Sequence, residues 1–225
     1  MTKSLSVVML GASGATGGAV VEKLCSMPEI ARLTLLGRRP VAGATSSIVG
    51  QHVVDPLNAS SYRHLLAGHD CAVCTFGVSQ PSKMTWEEFI RIDKDAVLSF
   101  GAECKSAGIR HFELLGSASA DPHSRFPYLK TKGELRERLV ELGFERLSVF
   151  QPSMILTPTN RFGFSQALTL AFWPLLSPAL LGSWRKYRGI RVETLGAAMA
   201  ANLVTSGHGP EILHWDQFMA LAARS

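Results

Sequence analysis

A short apolar run, Leu5-Ser6-Val7-Val8-Met9-Leu10, passes directly into Gly11-Ala12-Ser13-Gly14-Ala15-Thr16-Gly17-Gly18. That cluster opens into Ala19-Val20-Val21-Glu22-Lys23-Leu24. Strand, tight turn and helix in that order restrict this chain more than any other feature. Glycines let the backbone turn sharply and approach a phosphate closely, and the helix N-terminus offers unpaired N–H groups and a partial positive charge. The spacing Gly11, Gly14, Gly17 departs from the G-x-G-x-x-G of the common dinucleotide turn, and a glycine-rich turn can exist without a ligand. The flanking strand and helix therefore carry the reading together with the glycines. Gly11, Ser13, Gly14, Ala15, Thr16 and Gly17 form the candidate cradle.

The chain then alternates strand and helix. Leu33-Thr34-Leu35-Leu36 reads as a second buried strand ending at Gly37-Arg38-Arg39-Pro40. In a doubly wound sheet this end faces the adenosine ribose of a dinucleotide, where an acidic residue would hold the 2′-hydroxyl of NAD. Two arginines stand there instead, and a guanidinium grips a 2′-phosphate through paired charge-assisted bonds. NADP(H) is therefore the expected cofactor, with solvated loop arginines as the plain alternative. Gln51 to Asp55 is a third, short strand, and Asp55 would either accept from the adenine amino group or cap a helix starting near Ala59. Asp70 to Gly77 supplies a fourth strand, with Phe76 and Gly77 placed to pass near the nicotinamide ribose. Trp86 to Lys105 has helical periodicity, with Phe89, Ile92, Val97, Phe100 and Cys104 on one face. Ile109 to Gly116 is a fifth strand. The expected fold is α/β, a Rossmann-like, doubly wound parallel sheet of about six or seven strands with a small C-terminal lobe.

Composition bounds the function classes. With 225 residues, 46% hydrophobic and 18% charged, the chain suits one domain, a nucleotide-binding core over about 1–155 and a lobe for substrate or dimer contacts over about 156–225. The net charge of +5 is scattered apart from Arg38-Arg39 and Arg185-Lys186-Tyr187-Arg188, which gives nucleic acid little to bind. Cys25, Cys71, Cys74 and Cys104 show no disulfide framework, and no signal peptide precedes the first strand, so a reduced, cytoplasmic location is expected. Cys71-Ala72-Val73-Cys74 lies inside an apolar strand and reads as packing rather than metal or redox chemistry.

Ser117 follows the fifth strand directly. After a short polar loop, Tyr128-Leu129-Lys130-Thr131-Lys132 opens a helix. Tyr128 and Lys132 are four apart and share one helical face, whereas Lys130 points elsewhere. Moving a proton to or from a substrate oxygen near neutral pH requires a phenol, ordinarily of pKa about 10, made more acidic. An ammonium at Lys132 does this by stabilising phenolate, and Ser117 would hold the carbonyl oxygen. Tyr-x-x-x-Lys also recurs as a surface pair on many helices, so its place after the fifth strand gives it weight.

With these residues in hand the chain resembles an atypical short-chain dehydrogenase/reductase, and within that superfamily the Tat-interacting protein (oxidoreductase) family. The matching stretches include Leu10 to Gly17, Leu36 to Arg39, Val53 to Asp55, Arg91 to Asp95, His111 to Leu115, Tyr128 to Gly133 and Arg146 to Pro152. The resemblance implies a Rossmann-like fold, NADPH binding, and Ser117, Tyr128 and Lys132 as the catalytic set, with Ser119 a rival for the serine. It also implies that Pro152 to Met154 line the nicotinamide side. The asparagine that many short-chain reductases carry in the long central helix has no counterpart between Trp86 and Lys105. Two functions follow: an NADPH-dependent reductase of a small carbonyl compound, or an NADPH-loaded regulator acting through protein partners.

From Phe162 the pattern changes. Phe164 to Trp184 is mostly apolar, but Pro174, Pro178 and polar residues interrupt it, so a transmembrane span is not expected. A pocket wall, a homodimer face, or a peripheral membrane contact helped by Arg185, Lys186 and Arg188 are the open readings. Ile190 to Glu193 reads as a strand and Thr194 to Val204 as a packed helix. His69, His208 and His214 have no metal-site spacing.

Overall fold

The structure is a computed structural model that describes residues 4–78, 83–157 and 180–224. Its strands and helices run β1 (Leu5–Leu10), α1 (Ala15–Cys25), β2 (Ile30–Gly37), β3 (Val49–Val53), β4 (Cys71–Cys74) and α2 (Trp86–Ile90). A π-helical turn, Arg91–Asp95, joins α2 to α3 (Ala96–Ser106). Then follow β5 (His111–Leu115), α4 (Pro127–Glu141), β6 (Arg146–Phe150), β7 (Met154–Leu156), β8 (Gly189–Arg191), α5 (Val192–Leu203), β9 (Gly209–Leu213) and α6 (Trp215–Ala222).

Seven parallel strands form one sheet in the order β3-β2-β1-β4-β5-β6-β9. The doubly wound parallel fold expected from the strand–helix alternation is what forms. β1 shows why. Its last four residues are fully buried, and alternate side chains enter opposite cores. Val7 and Met9 pack with Val20, Leu24, Leu195 and Met199, from α1 and α5. Val8 and Leu10 pack with Phe100, Phe112 and Leu139, on the side of α3 and α4. Strand order reverses between β1 and β4, and a crevice opens there beyond the carboxyl ends.

Several local expectations are corrected. β3 is an edge strand ending at Val53, a residue 68% exposed, so Asp55 lies beyond it. Asp55 does not cap the turn at Ala59. Asn58 takes that position, its side chain accepting from Ser60 N–H at 3.1 Å, while Asp55 Oδ1 accepts from Leu57 N–H at 3.0 Å. The Trp86–Lys105 helix forms as expected but carries the π-helical turn, which advances its face by one residue. The strand near Ile190 is only Gly189–Arg191, paired with β7 in a separate two-stranded sheet, and Val192 and Glu193 already belong to α5. β9 closes the main sheet against β6, so the C-terminal segment contributes its seventh strand. Of the apolar stretch Phe164 to Trp184, residues 164–179 lie outside the described residues, while Leu181 and Trp184 are exposed. Among the described residues no helix is long and apolar enough to cross a membrane.

Candidate active site

The glycine turn is held by contacts that leave room for nothing larger. Gly11 sits at φ +98°, and a Cβ there would enter the backbone of Thr75 and Phe76. At Gly17 a Cβ would strike the Gly11 carbonyl oxygen, which accepts from Gly14 N–H at 3.1 Å and from Thr75 Oγ1 at 3.0 Å. Gly14 is different. An added Cβ would meet only the Gly11 oxygen, at 3.4 Å, so packing alone does not demand glycine there. Gly14 is also the N-cap of α1, in extended conformation, with no side chain capping the first turn. The first intrahelical bond runs from Gly18 N–H to Gly14 O at 2.8 Å, leaving the N–H groups of Ala15, Thr16 and Gly17 without an intrahelical acceptor. An uncapped helix start behind a close-packed glycine turn suits a phosphate.

Of the cavities that meet at this turn, two join end to end. One, of about 600 Å³, is lined by Gly11, Ser13, Gly37, Arg38, Arg39 and Pro56 among others. The second, of about 420 Å³, reaches past Ala15, Thr16 and Gly17 to Asp93, Tyr128 and Lys132. Both share Gly14, Thr75, Phe76 and Gly77, so they form the two halves of one cleft. The exposed arginines lie at one end, and the tyrosine–lysine pair lies at the other.

Tyr128 occupies the first turn of α4, behind Pro127 in the position that suits proline's fixed φ. Its ring centroid lies 5.7 Å from that of Phe89, and Lys132 Nζ lies 6.0 Å from the Tyr128 centroid. Gly133 lets α4 press against Asp121 and Pro122, where a Cβ would collide with backbone. Asp121 N–H donates to Leu129 O at 3.1 Å across the same contact.

The residue that sequence reasoning missed is Asp93, in the π-helical turn. It is 1% exposed, its Oδ2 lies 2.6 Å from Lys132 Nζ, and its Oδ1 accepts from Val78 N–H at 2.6 Å. A Cβ on Gly77 would come within 2.6 Å of that same Oδ1, which explains the glycine. A signal was present: Asp93 stands four residues after Phe89 and four before Val97, on the apolar face of the helix.

The other expected site residues lie at the margin. Ser117 is half-buried just past the cleft-lining Leu115 and Gly116, its hydroxyl 3.4 Å from the Ala118 oxygen. Ser119 has φ +60° and lies 3.1 Å, Oγ to Oη, from Tyr187, whose phenol is lowered chiefly by that bond. Pro152 is buried, with its carbonyl accepting from Ala118 N–H at 3.0 Å. Ser153 and Ile155 line the cleft, whereas Met154 between them does not, as strand alternation requires. Asp55 is likewise not among the lining residues. The cysteines are free, and burial pushes the Cys71 and Cys74 thiols up to about 12. Among the described residues no group of His, Cys, Asp or Glu is arranged to hold a metal ion.

No protein-family model matches the chain. Among solved structures, MoeE5 in complex with UDP-glucuronic acid and NAD superposes with a TM-score of 0.71 at 18% identity, covering 92% of this chain and 75% of that one. The Candida albicans protein FMP52, described as mitochondrial, is 28% identical over 75% of this chain and 76% of its own length. That description gives the cytoplasmic expectation no support. Protein HTATIP2 of Rattus norvegicus is 35% identical over 206 residues, 91% of this chain and 83% of the rat protein. With the parallel sheet, the glycine turn and the Tyr128/Lys132 pair in one cleft, that degree of identity shows that the chain belongs to the HTATIP2 family of atypical short-chain dehydrogenases/reductases.

Proposed function

We propose that the protein is an NADP(H)-dependent reductase of a small carbonyl-type substrate. The observation that carries this reading is the shared cleft: the glycine turn and Arg38/Arg39 at one end, Tyr128 and Lys132 at the other. MoeE5, with the same fold, is described with bound NAD. The cradle fits such a group, because the start of α1 lacks a side-chain cap and Gly11 and Gly17 let the backbone approach closely. When bound, the nicotinamide supplies hydride.

The chain's own residues do the rest. The N–H groups of Ala15, Thr16 and Gly17 bind the pyrophosphate, while Arg38, with Arg39 behind it, holds the 2′-phosphate. Phe76 and Gly77 would border the ribose on the nicotinamide side, and Pro152, Met154 and Asp55, which stand outside the cleft lining, would act from its margin toward the nicotinamide and adenine ends. Tyr128 Oη gives its proton to the substrate oxygen, Lys132 steadies the phenolate that results, and Ser117 Oγ donates a hydrogen bond to the same oxygen. The C-terminal part has two tasks: it completes the sheet with β9 and closes the substrate side.

A second reading has its own observation. The Asp93 carboxylate, 2.6 Å from Lys132 Nζ, offsets much of the charge that would activate Tyr128. That suits an NADPH-loaded regulator with little turnover.

One set of variants tests both readings. Tyr128→Phe should keep NADPH binding, measured by fluorescence titration, while carbonyl reduction falls by ~10²–10⁴-fold. Full activity in that variant removes the mechanism. Tight NADPH binding by the wild type with no turnover across an aldehyde and ketone panel leaves the regulatory reading. Arg38→Ala should weaken NADPH binding by about 1.5–3 kcal/mol and leave NADH binding nearly unchanged. Equal losses for the two cofactors would mean that Arg38 does not read the 2′-phosphate.

A further inference from the structure

A buried carboxylate beside an active-site lysine is a costly feature. Removing a charge from water carries a penalty that only a close partner and satisfied lone pairs offset. Asp93 has the close partner, since Lys132 Nζ lies 2.6 Å from Oδ2, and the Val78 N–H donates to Oδ1 at 2.6 Å, while Oδ2 has the ion pair but no hydrogen bond. It therefore joins three parts of the site: the long helix through its π-helical turn, the backbone after β4, and the helix bearing Tyr128. The π-helical turn directs this one side chain inward while its neighbours face out, with Arg91 and Asp95 exposed.

We propose that Asp93 is a positioning residue that fixes Lys132 and cancels most of its charge at Tyr128, so that the lysine activates the phenol less than an unpaired ammonium would. The inference rests on Tyr128 as proton donor. An ammonium alone, 6.0 Å from the tyrosine ring, would favour phenolate. An ammonium with a carboxylate 2.6 Å away is a dipole without net charge, and its field falls off faster. On the elements packed around the start of α4, Lys83, Glu87, Glu88, Arg91, Asp95, His123 and Arg125 are exposed and screened by water, and the remaining charged groups have partners. Lys94 pairs with Glu134 at 2.9 Å, and Lys130 lies 4.0 Å from the same carboxylate. Asp121 Oδ1 accepts from His123 N–H, and Arg136 donates to Ala120 O. On the β4 side the group is Cys74, a buried neutral thiol. Asp93 and Lys132 are thus the pair that decides the field at Tyr128.

The test is a tyrosinate absorbance titration of the whole chain without cofactor or substrate, with each protein read against its own Tyr128→Phe counterpart to isolate one phenol. Asp93→Asn keeps an acceptor for Val78 N–H but removes the charge, and the Tyr128 midpoint should fall by about one pH unit. Asp93→Glu should bring it back toward the wild-type value. Lys132→Met alone should raise it by about one unit, and Asp93→Asn/Lys132→Met together should return it to within ~0.5 unit of wild type. The double variant keeps the test decisive if Asp93→Asn does not fold, because it leaves no unpaired buried charge. A midpoint that stays in place in folded Asp93→Asn, or a double variant shifted as far as Lys132→Met, overturns the proposal. Because the measurement needs no turnover, a catalytically inert protein showing these shifts would sink the reductase reading and leave the electrostatic role intact.

Discussion

Two groups of buried charges sit at opposite ends of the same sheet, and they differ in their access to the cleft. At the amino ends of β5 and β6, Arg146 donates to Glu211 Oε1 at 2.8 Å, to the Asn202 and Thr205 carbonyls at 3.0 and 2.7 Å, and to Asn202 Oδ1 at 2.7 Å. Asn202 in turn donates to Glu113 Oε1 at 2.7 Å and Ser148 Oγ at 3.0 Å, and Ser148 donates to Glu211 at 2.6 Å. The guanidinium is saturated within the fold. At the carboxyl ends, Lys132 and Asp93 form a single ion pair that borders an open cleft. The closed network can only hold β5, β6, β9 and α5 together. The open pair keeps donors available for a ligand. Each cluster leaves one buried carboxylate oxygen without a hydrogen bond, Glu113 Oε2 and Asp93 Oδ2, so what separates the structural cluster from the working one is access to the cleft.

The closed network also changes its own protonation. Glu113 is fully buried, and burial holds its carboxyl well above the usual range. His111 is pushed down to about 3 by burial and then by Arg146. The 3.7 Å approach of His111 Nε2 to Glu113 Oε1 is therefore between two neutral groups rather than an ion pair.

The sharpest way to break the comparison is Arg146→Leu. It leaves the buried Asn202 acceptors without their donor, at about 1–3 kcal/mol for such a group, while Glu211, whose side chain is 35% exposed, can turn to water. Urea unfolding should show that loss, with NADPH affinity per folded molecule unchanged within about twofold. A variant that keeps its stability but loses cofactor would exchange the roles of the two clusters.

A smaller effect follows from His111. Between pH 6.5 and the depressed folded value near 3, the unfolded chain takes a proton at this histidine and the folded chain does not. The unfolded state binds more protons there, so stability is lost as pH falls. From pH 6.5 to 4.5 the loss amounts to ~2–3 kcal/mol from this group. His111→Gln cannot take up the proton, so its unfolding free energy should fall less over that interval. Parallel pH profiles for the two proteins would show that His111 is not the group responsible.

The sheet was legible because its central strands are unbroken apolar runs ending on glycine, arginine or serine, as in Val7 to Gly11. β9 was not. Only Leu213 in it is buried, Pro210 sits inside it, and an edge strand shows little hydrophobic pattern. Half of the cleft lining was legible for a related reason: Gly11 to Gly17, Arg38 and Gly77 stand next to strand ends in sequence as well as in space, and Tyr128 and Lys132 share a face of the helix that follows β5. Asp93 stands far along the chain from the lysine it pairs with, and a single acid in a helix reads as solvated. Only its register with Phe89 and Val97 marks it, and the π-helical turn that aims it has no sequence signature. Ser117 was named by position after a strand, and Pro152 and Met154 by the family resemblance, which fix a neighbourhood but not which way a side chain faces.

The contact between α1 and α5 has a consequence for how the chain comes to be folded. Gly196 lies so close to Ala19 that an added Cβ would come within 2.6 Å of the alanine Cβ, and Val20 shares a core with Leu195 and Met199. The first helix is therefore packed by one that lies far along the chain. During synthesis the glycine turn emerges early, yet the surface that steadies its helix leaves the ribosome much later. Contacts of such sequence separation form slowly, because a long loop must close before they contribute any stability. The glycine turn is thus set late, and a chain halted before residue 196 would carry its sequence without the helix that packs α1.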